Sequence, residues 1–252
     1  MRVVIIGAGN VATVLGRLIK KNGHNILQII SQHKETAKTL AVELDCAFVE
    51  DYKEIDKTAD IYLIAVTDTS IKDISEKYKL EDKLVVHTAG SVSKEVLKNM
   101  SANYGVLYPL QSLRKERIIL RENIPLLLDA NTTKSLILLQ NFAASISANF
   151  SFANDEQRLK LHVAAVLVSN FTNHLYTIAN KYCENESVDF KLLLPLIEET
   201  AVRLRQHSPA EMMTGPAFRG DTKTIEKHLG LLESYPHIQN IYLKITESIL
   251  VS

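Results

Sequence analysis

The chain has 252 residues, 46% of them hydrophobic, a size that suits one large α/β domain or a main domain with a smaller companion. Its 29 Lys and Arg balance its 29 Asp and Glu, so it lacks the basic excess typical of nucleic-acid binding, and we expect no nucleic-acid partner. No apolar run reaches the roughly 18 residues of a membrane span and no signal-peptide cleavage pattern follows the N-terminus, so we expect a cytoplasmic protein without membrane contact.

Runs of β-branched residues alternate with helical patterns through the first part of the chain. The first run, V-V-I-I at residues 3–6, is typical of a strand buried on both faces of a parallel sheet. The β-α-β alternation predicts a parallel sheet with helices on both sides. Strands are predicted at residues 3–6, 25–30, 48–49, 61–66, 83–88, 106–107, 125–129 and 149–152, and helices at 10–21, after residue 30 through about 44, and at 132–148.

The character of the sequence changes after Phe152. From Asp155 onward strand signals disappear, and the longest helical pattern covers residues 159–182. We therefore predict an α/β fold in which a Rossmann-type parallel sheet at 1–152 is followed by a smaller all-α domain at 153–252. The leucine-rich segments 192–197 and 229–232 carry more apolar surface than one small bundle readily buries, so a homodimer is expected.

A glycine-rich motif follows the first strand. Residues 7–12 fit G-x-G-x-x-A between a strand and a helix, which is the context that a dinucleotide site requires. The glycines permit a tight turn and close approach of the pyrophosphate to the helix N-terminus. The alternative is a glycine turn without a ligand. The predicted cofactor contacts here are Gly7, Ala8, Gly9, Asn10 and Val11.

The end of the second strand predicts which dinucleotide is bound. An NAD site usually has an acid there for the ribose 2′-hydroxyl, whereas this chain has S-Q-H-K at residues 31–34. Ser31 and Lys34 suit a 2′-phosphate, which a carboxylate would repel, so NADP(H) is the predicted cofactor. The alternative is that Lys34 is only solvated and that the protein does not distinguish the two cofactors.

Two further loops should line the cofactor, because ligands of such sheets lie beyond the carboxyl ends of the strands. The loop at 65–68 contributes Val66, Thr67 and Asp68, and the loop at 87–90 contributes Thr88 and Ala89. His87 is ambiguous between a place near the nicotinamide and a structural role at the strand end.

The sequence lacks the motifs of several other reaction classes. None of the nine tyrosines has a lysine four residues later, so the Y-x-x-x-K pair of short-chain dehydrogenases is absent. There is no H-E-x-x-H motif, and Cys46 and Cys183 are isolated, so neither a metal site nor a disulfide framework is predicted.

The chain resembles, over essentially its full length, bacterial proteins that join a Rossmann-like domain to a C-terminal helical domain of unknown function. These are relatives of pyrroline-5-carboxylate reductase, ketopantoate reductase and the 3-hydroxyacid dehydrogenases. The resemblance implies NADP-dependent oxidoreductase activity. It rests on the motifs G-A-G-N-V at 7–11, H-T-A-G-S at 87–91, Y-P-L-Q-S at 108–112, H-V-A-A-V at 162–166, S-N-F at 169–171 and T-G-P-A-F-R-G-D at 214–221.

The sequence departs from the relatives' pattern in two ways. The K-x-x-x-N pair of the hydroxyacid dehydrogenases is missing, with His162 and Val166 as the nearest analogues, so their lysine-based proton transfer is not expected here. Tyr108 stands where a histidine is expected before Pro-Leu-Gln.

The catalytic candidates lie in the helical part. At 100° per residue, a narrow polar face of the long helix carries His162, Ser169, Asn173 and Asn180. Such a face either meets water or hydrogen-bonds inside a cleft. In the second case His162, or a water held by Asn173, supplies a proton. Arg219 is predicted either to clamp a substrate carboxylate or only to brace its loop, and Asp221 to cap the following helix.

These residues lead to two hypotheses of function. The first is an NADPH-dependent reductase of a small ketone or imine bearing a carboxylate, or the same site working in the oxidative direction. The alternative is a non-catalytic NADP(H)-binding sensor, which the absence of a lysine general acid leaves open.

Overall fold

The computed structural model describes residues 1–116 and 124–251, and the chain divides into two compact units, Met1–Asn170 and Phe171–Ser252. The last strand ends at Phe152 and the elements described from Asp155 onward are helical. The predicted domain boundary near Phe152 therefore marks the end of the sheet, whereas the compact unit that contains the sheet continues to Asn170. The helix that begins at Asp155 belongs to that unit because its buried Arg158 bonds to the loop after the fifth strand.

The first unit is built on one sheet of eight strands in the order 3-2-1-4-5-6-7-8, which begins with the Rossmann order. The strands are β1 (Arg2–Ile6), β2 (Asn25–Ile30), β3 (Ala47–Val49), β4 (Ile61–Ile64), β5 (Leu84–His87), β6 (Asn103–Pro109), β7 (Leu126–Ala130) and β8 (Phe150–Phe152).

One pair of strands corrects the expectation of an all-parallel sheet. β7 runs antiparallel to β6, while the other neighbouring pairs are parallel. A parallel neighbour needs a crossover connection, usually a helix. The described residues between these two strands, 110–116 and 124–125, contain no helix, which fits a direct antiparallel return.

Helices cover both faces of the sheet. The helices of this unit are α1 (Asn10–Lys21), α2 (Lys34–Leu44), α3 (Asp68–Lys77), α4 (Thr133–Ile146) and α5 (Asp155–Ala165). Alternate residues of β1 enter two separate cores: Val3 and Ile5 pack with α1, α2 and α4, and Val4 and Ile6 pack with α3. This two-sided burial explains why the strand residues are apolar without alternation.

The carboxyl ends of the central strands lie in register. Ile6 pairs with Ile64, and Ile64 pairs with His87. The residues that follow these three positions therefore share one edge of the sheet. This is the edge at which the sequence predicts the cofactor.

The long helical pattern is interrupted by a π-helical segment. α5 ends at Ala165, Val166–Phe171 is π-helical, and α6 (Thr172–Asn185) follows. The boundary between the two compact units falls inside this segment. A π-helical turn holds more residues than an α-helical turn, so the uniform 100° period used for the polar face does not hold across it.

The second unit is helical and has few buried residues. It contains α6, α7 (Leu194–Arg203), α8 (Thr222–Leu231) and α9 (Pro236–Leu250). Among its described residues only four are buried: Cys183, Ala217, Leu232 and Thr246. In 1–116 and 124–251 no helix combines the length and hydropathy that a membrane crossing requires.

Candidate functional site

The turn after β1 has the conformation that a dinucleotide fingerprint needs. Gly7 has φ +120°, and a Cβ there would lie 2.1 Å from the carbonyl oxygen of Ala65. A Cβ on Gly9 would meet nothing within 4 Å, so the backbone there is open to a ligand. Gly9 is the N-cap of α1, whose first turn has no capping side chain and no acid. Its free N–H groups are thus available to a pyrophosphate, and the residues fit the predicted cofactor.

A cleft of about 610 Å³ runs along the carboxyl edge of the sheet. It is formed by the residues that follow β1, β2, β3 and β4, together with one side of α3. Eight of the predicted cofactor residues line it: Gly7, Ala8, Gly9, Asn10, Val11, Ser31, Val66 and Thr67. The structure thus brings together three loops that are far apart in sequence.

The two residues predicted to hold the 2′-phosphate differ in position. Ser31 is buried in the lining of the cleft, where its hydroxyl accepts a hydrogen bond from the backbone N–H of His33 at 3.1 Å. Lys34 lies outside this lining, and its ammonium is 2.8 Å from a carboxylate oxygen of Glu50. The hydrogen bond and charge of Glu50 raise the pKa of Lys34.

Three further predicted cofactor residues also lie outside the lining. Asp68 accepts a hydrogen bond from the Ser91 hydroxyl and so joins the loops after β4 and β5. Thr88 is buried, and its backbone N–H donates to the carbonyl of Ile64 at 3.1 Å. The N–H of Ala89 donates to Nδ1 of His87 at 3.2 Å. Their contact with the cofactor stays a prediction.

Two tyrosines of the cleft were not found from the sequence. Tyr52 follows β3 and Tyr78 follows α3, and their rings stack with centroids 4.8 Å apart. Both line the cleft, together with Lys77 at the end of α3. Burial raises the pKa of Tyr52, and Tyr78 raises it further. No local sequence pattern predicts this pair, because it is a contact between separate segments.

A second group of side chains meets at Gly90, three residues after β5. The phenol oxygen of Tyr108, in β6, lies 3.0 Å from Nδ1 of His162 in α5. Burial raises the pKa of Tyr108, and the charge of Asp68 raises it further. His162 therefore faces the carboxyl edge of the sheet. In the sequence, Tyr108 was noticed only because it stands where the relatives' pattern has a histidine.

The first turns of α5 are fastened to the loop after β5. The Arg158 guanidinium is fully buried and donates to the carbonyl of Val92 and, at 2.7 Å, to Asp155. Asp155 also accepts from the hydroxyl of Ser93 and the N–H of Lys94. Burial alone would raise the pKa of Asp155, but these hydrogen bonds outweigh it and lower the pKa. We call Arg158, Asp155 and residues 92–94 the α5 clamp.

His87 is a buried side chain at the end of β5. Its Nδ1 accepts from Ala89, and its Nε2 has no hydrogen-bond partner among the described residues. Burial, followed by the charge of Arg158, lowers its pKa to about 4. Its position inside the protein supports the structural interpretation over a contact with the nicotinamide.

The other two catalytic candidates lie in the second unit. Asn173 is an exposed residue of α6, and the π-helical segment separates it from His162 on α5. Their common face was predicted with an uninterrupted α-helical period, which is wrong for this segment. Arg219 is exposed, and its backbone N–H donates to the carbonyl of Gly215 at 3.2 Å. Asp221 caps α8 through the N–H of Thr224, as predicted.

Comparison with known proteins identifies the family. Residues 124–249 match the family described as a domain of unknown function, DUF2520, and residues 2–90 match the family described as NADP oxidoreductase, coenzyme F420-dependent. A Bacteroides fragilis protein, named as a candidate NADP oxidoreductase, is 33% identical over 100% of this chain and 98% of its own, with a TM-score of 0.93. The chain belongs to the DUF2520 family.

More distant relatives agree in fold. A 1-pyrroline-5-carboxylate reductase from Streptococcus pyogenes has a TM-score of 0.69 at 12% identity, over 100% of this chain and 99% of its own. A glycerol-3-phosphate dehydrogenase [NAD(P)+] from Fusobacterium nucleatum is 25% identical over an alignment of 116 positions, which covers 40% of this chain and only 35% of that enzyme. These distant matches show the fold alone. The two family models and the Bacteroides fragilis relative confirm the predicted resemblance, the NADP cofactor and an oxidoreductase.

Proposed function

We propose that this protein is an NADPH-dependent reductase of a small ketone or imine that carries a carboxylate. The observation that carries the proposal is the Tyr108–His162 pair beside Gly90, at the same edge of the sheet as the cofactor cleft. The fold shared with a reductase whose name specifies a cyclic imine and a carboxylate supports the substrate class.

When bound, the cofactor supplies the hydride that reduces the C=O or C=N carbon. His162 gives a proton to the oxygen or nitrogen, so that the double bond becomes CH–OH or CH–NH and NADP+ remains. With both ring nitrogens protonated, Nδ1–H donates to the phenol oxygen of Tyr108 and Nε2–H is the proton transferred, so that a neutral imidazole remains and takes up a proton from solvent before the next turnover.

Arg219 is proposed to hold the substrate carboxylate, and Asn173 to orient a water. Both are exposed and neither has an ion pair among the described residues, although the charge of Arg219 helps to lower the pKa of Asp221. A guanidinium binds a carboxylate through two parallel hydrogen bonds, which supports Arg219 over a lysine in this role.

We also infer a cytoplasmic homodimer. Both cysteines are free thiols, which suits a reducing compartment. The second unit exposes many large apolar side chains, and one apolar groove of about 480 Å³ lies between α6, α8 and α9. An all-helical unit with four buried residues gains a core when a second copy covers these surfaces.

Single-turnover oxidation of bound NADPH tests the proposed activity. The panel consists of 2-keto acids and cyclic imines, each with and without a carboxylate. We expect turnover of a carboxylate-bearing member and its loss in Arg219→Gln, with NADPH affinity retained. Tight NADPH binding without oxidation by any member would contradict the reductase and favour the sensor.

A further inference from the structure

The part of the cleft nearest β2 is the place for the adenosine 2′-phosphate. In sheets of this order, the 2′ group is read at the end of the second strand, which here is Ser31. Beyond Ser31 the lining continues with His33, the stacked pair Tyr52–Tyr78, and Lys77. A stacked aromatic pair gives this end of the cleft an apolar wall suited to a purine.

Lys34 and Ser31, the residues predicted to bind the 2′-phosphate, do not bring a positive charge into this end of the cleft. Lys34 forms an ion pair with Glu50 and lies outside the lining. The Ser31 hydroxyl accepts from the N–H of His33 and still has its O–H to donate, but it carries no charge. The phosphate brings a charge of about −1.5 to −2, so it needs a cation at this end.

Lys77 is such a cation. Among the lining residues that the structure describes, Lys77 and His33 are the side chains able to carry positive charge. Lys77 is exposed and has no ion pair in the described part of the chain. Asp73 lies one helical turn earlier on the same side of α3 and also lines the cleft. A phosphate near this helix would therefore be repelled unless it lay at Lys77.

The C-terminal end of α3 is a second reason why a phosphate bound here requires a lysine. Lys77 is in the last turn of α3, where unpaired carbonyls give a partial negative charge. An ammonium group at that position offsets both the helix end and the incoming phosphate.

We propose that Lys77, and not Lys34, recognises the 2′-phosphate and gives this protein its preference for NADP(H). The proposal rests on the cofactor being NADP(H), and it assigns the preference to a residue that lies far from β2 in sequence. His33 serves as a secondary donor, since it adjoins Ser31 in the same lining.

A pair of matched variants tests this assignment. Dissociation constants of NADPH and NADH are measured by calorimetry for the wild type, Lys77→Gln and Lys34→Gln. The probes adenosine 2′,5′-bisphosphate and 5′-ADP repeat the comparison without the nicotinamide and without turnover. We expect Lys77→Gln to weaken NADPH and the bisphosphate by about tenfold or more, NADH and 5′-ADP by less than about twofold, and Lys77→Arg to restore binding.

Each other outcome overturns the proposal in a recognisable way. Loss of the preference in Lys34→Gln, with Lys77→Gln unchanged, would return the role to Lys34. An equal loss of both cofactors in Lys77→Gln would make the lysine structural. A wild type that binds NADH as tightly as NADPH would remove the cofactor preference itself, and the Lys77 assignment with it.

Discussion

The phenol oxygen of Tyr108 lies 3.0 Å from Nδ1 of His162, and the two rings meet edge to face with centroids 6.0 Å apart. Their approach depends on the glycine at position 90. A Cβ there would lie 2.7 Å from His162 Nδ1 and 2.8 Å from Tyr108 Cζ. Three segments of the first unit, β6, α5 and the loop after β5, therefore converge on one point at the carboxyl edge of the sheet.

Gly90→Ala should separate this pair. The added methyl group cannot fit at those distances, so His162 or Tyr108 must move away from its position. We expect kcat to fall by about tenfold or more, with the NADPH dissociation constant within about threefold of the wild type. Gly230→Ala is the matched control, because a Cβ there meets nothing within 4 Å. Equal kcat in the two variants would contradict a role for the pair.

Side-chain substitutions separate the roles of the two partners. His162→Ala should lower kcat by about a hundredfold while NADPH affinity stays within a factor of a few, because the proton donor is lost. Tyr108→Phe keeps the ring and removes the hydrogen bond, so a smaller loss, of about tenfold, is expected together with a shifted pH profile of kcat. If His162→Ala instead reduces stability and cofactor binding together, the histidine is a packing residue.

The sequence predicted the elements that depend on local pattern. The β-branched run before Gly7 and the glycine motif predicted the first strand and the turn after it correctly, because strand burial and turn conformation depend on adjacent residues. β6 is longer than the two residues predicted, since its pairing with β5 and β7 extends it to Asn103 and Pro109.

Features that depend on contacts between distant residues could not be predicted. The stacking of Tyr52 on Tyr78 and the pairing of Tyr108 with His162 join separate elements. The π-helical segment changes the helical phase between His162 and Asn173, and a period analysis assumes that phase to be constant. The ion pair between Lys34, which lies outside the cleft lining, and Glu50 is also a tertiary contact.

The α5 clamp should be important for stability. Arg158 is fully buried, and its Nε and Nη1 atoms have no partner among the described residues. The hydrogen bonds to Val92 and Asp155 must therefore compensate for the burial of its charge. Removing one partner of a fully buried ion pair costs about 3 to 5 kcal/mol, and solvent screening reduces the cost here because the Asp155 side chain is 35% exposed. We expect Asp155→Ala to lower the urea unfolding midpoint markedly.

An exposed pair on the same helix provides the control. Lys160 bonds to Glu156 with both side chains 73% exposed, and surface pairs contribute only about 0 to 1 kcal/mol. Glu156→Ala should therefore leave the midpoint nearly unchanged. Equal midpoints for Asp155→Ala and Glu156→Ala would show that the clamp does not stabilise the fold.

His87 should make the protein acid-sensitive. Its pKa is lowered from 6.5 to about 4 in the folded protein, so the unfolded chain binds more protons between these two values. Stability is therefore fully present above pH 6.5 and is lost as the pH falls toward 4. One pKa unit corresponds to about 1.4 kcal/mol, so the loss amounts to about 3 kcal/mol.

Asn at this position keeps an acceptor for the N–H of Ala89 but does not titrate. In His87→Asn, the free energy of unfolding, measured in urea at a series of pH values, should decline less over this range than in the wild type. His207→Asn, at an exposed position, should retain the wild-type decline. Parallel curves for His87→Asn and the wild type would mean that another group causes the acid sensitivity. Asp155 is not that group, because its pKa is lowered from 3.8 and its contribution is lost only at lower pH.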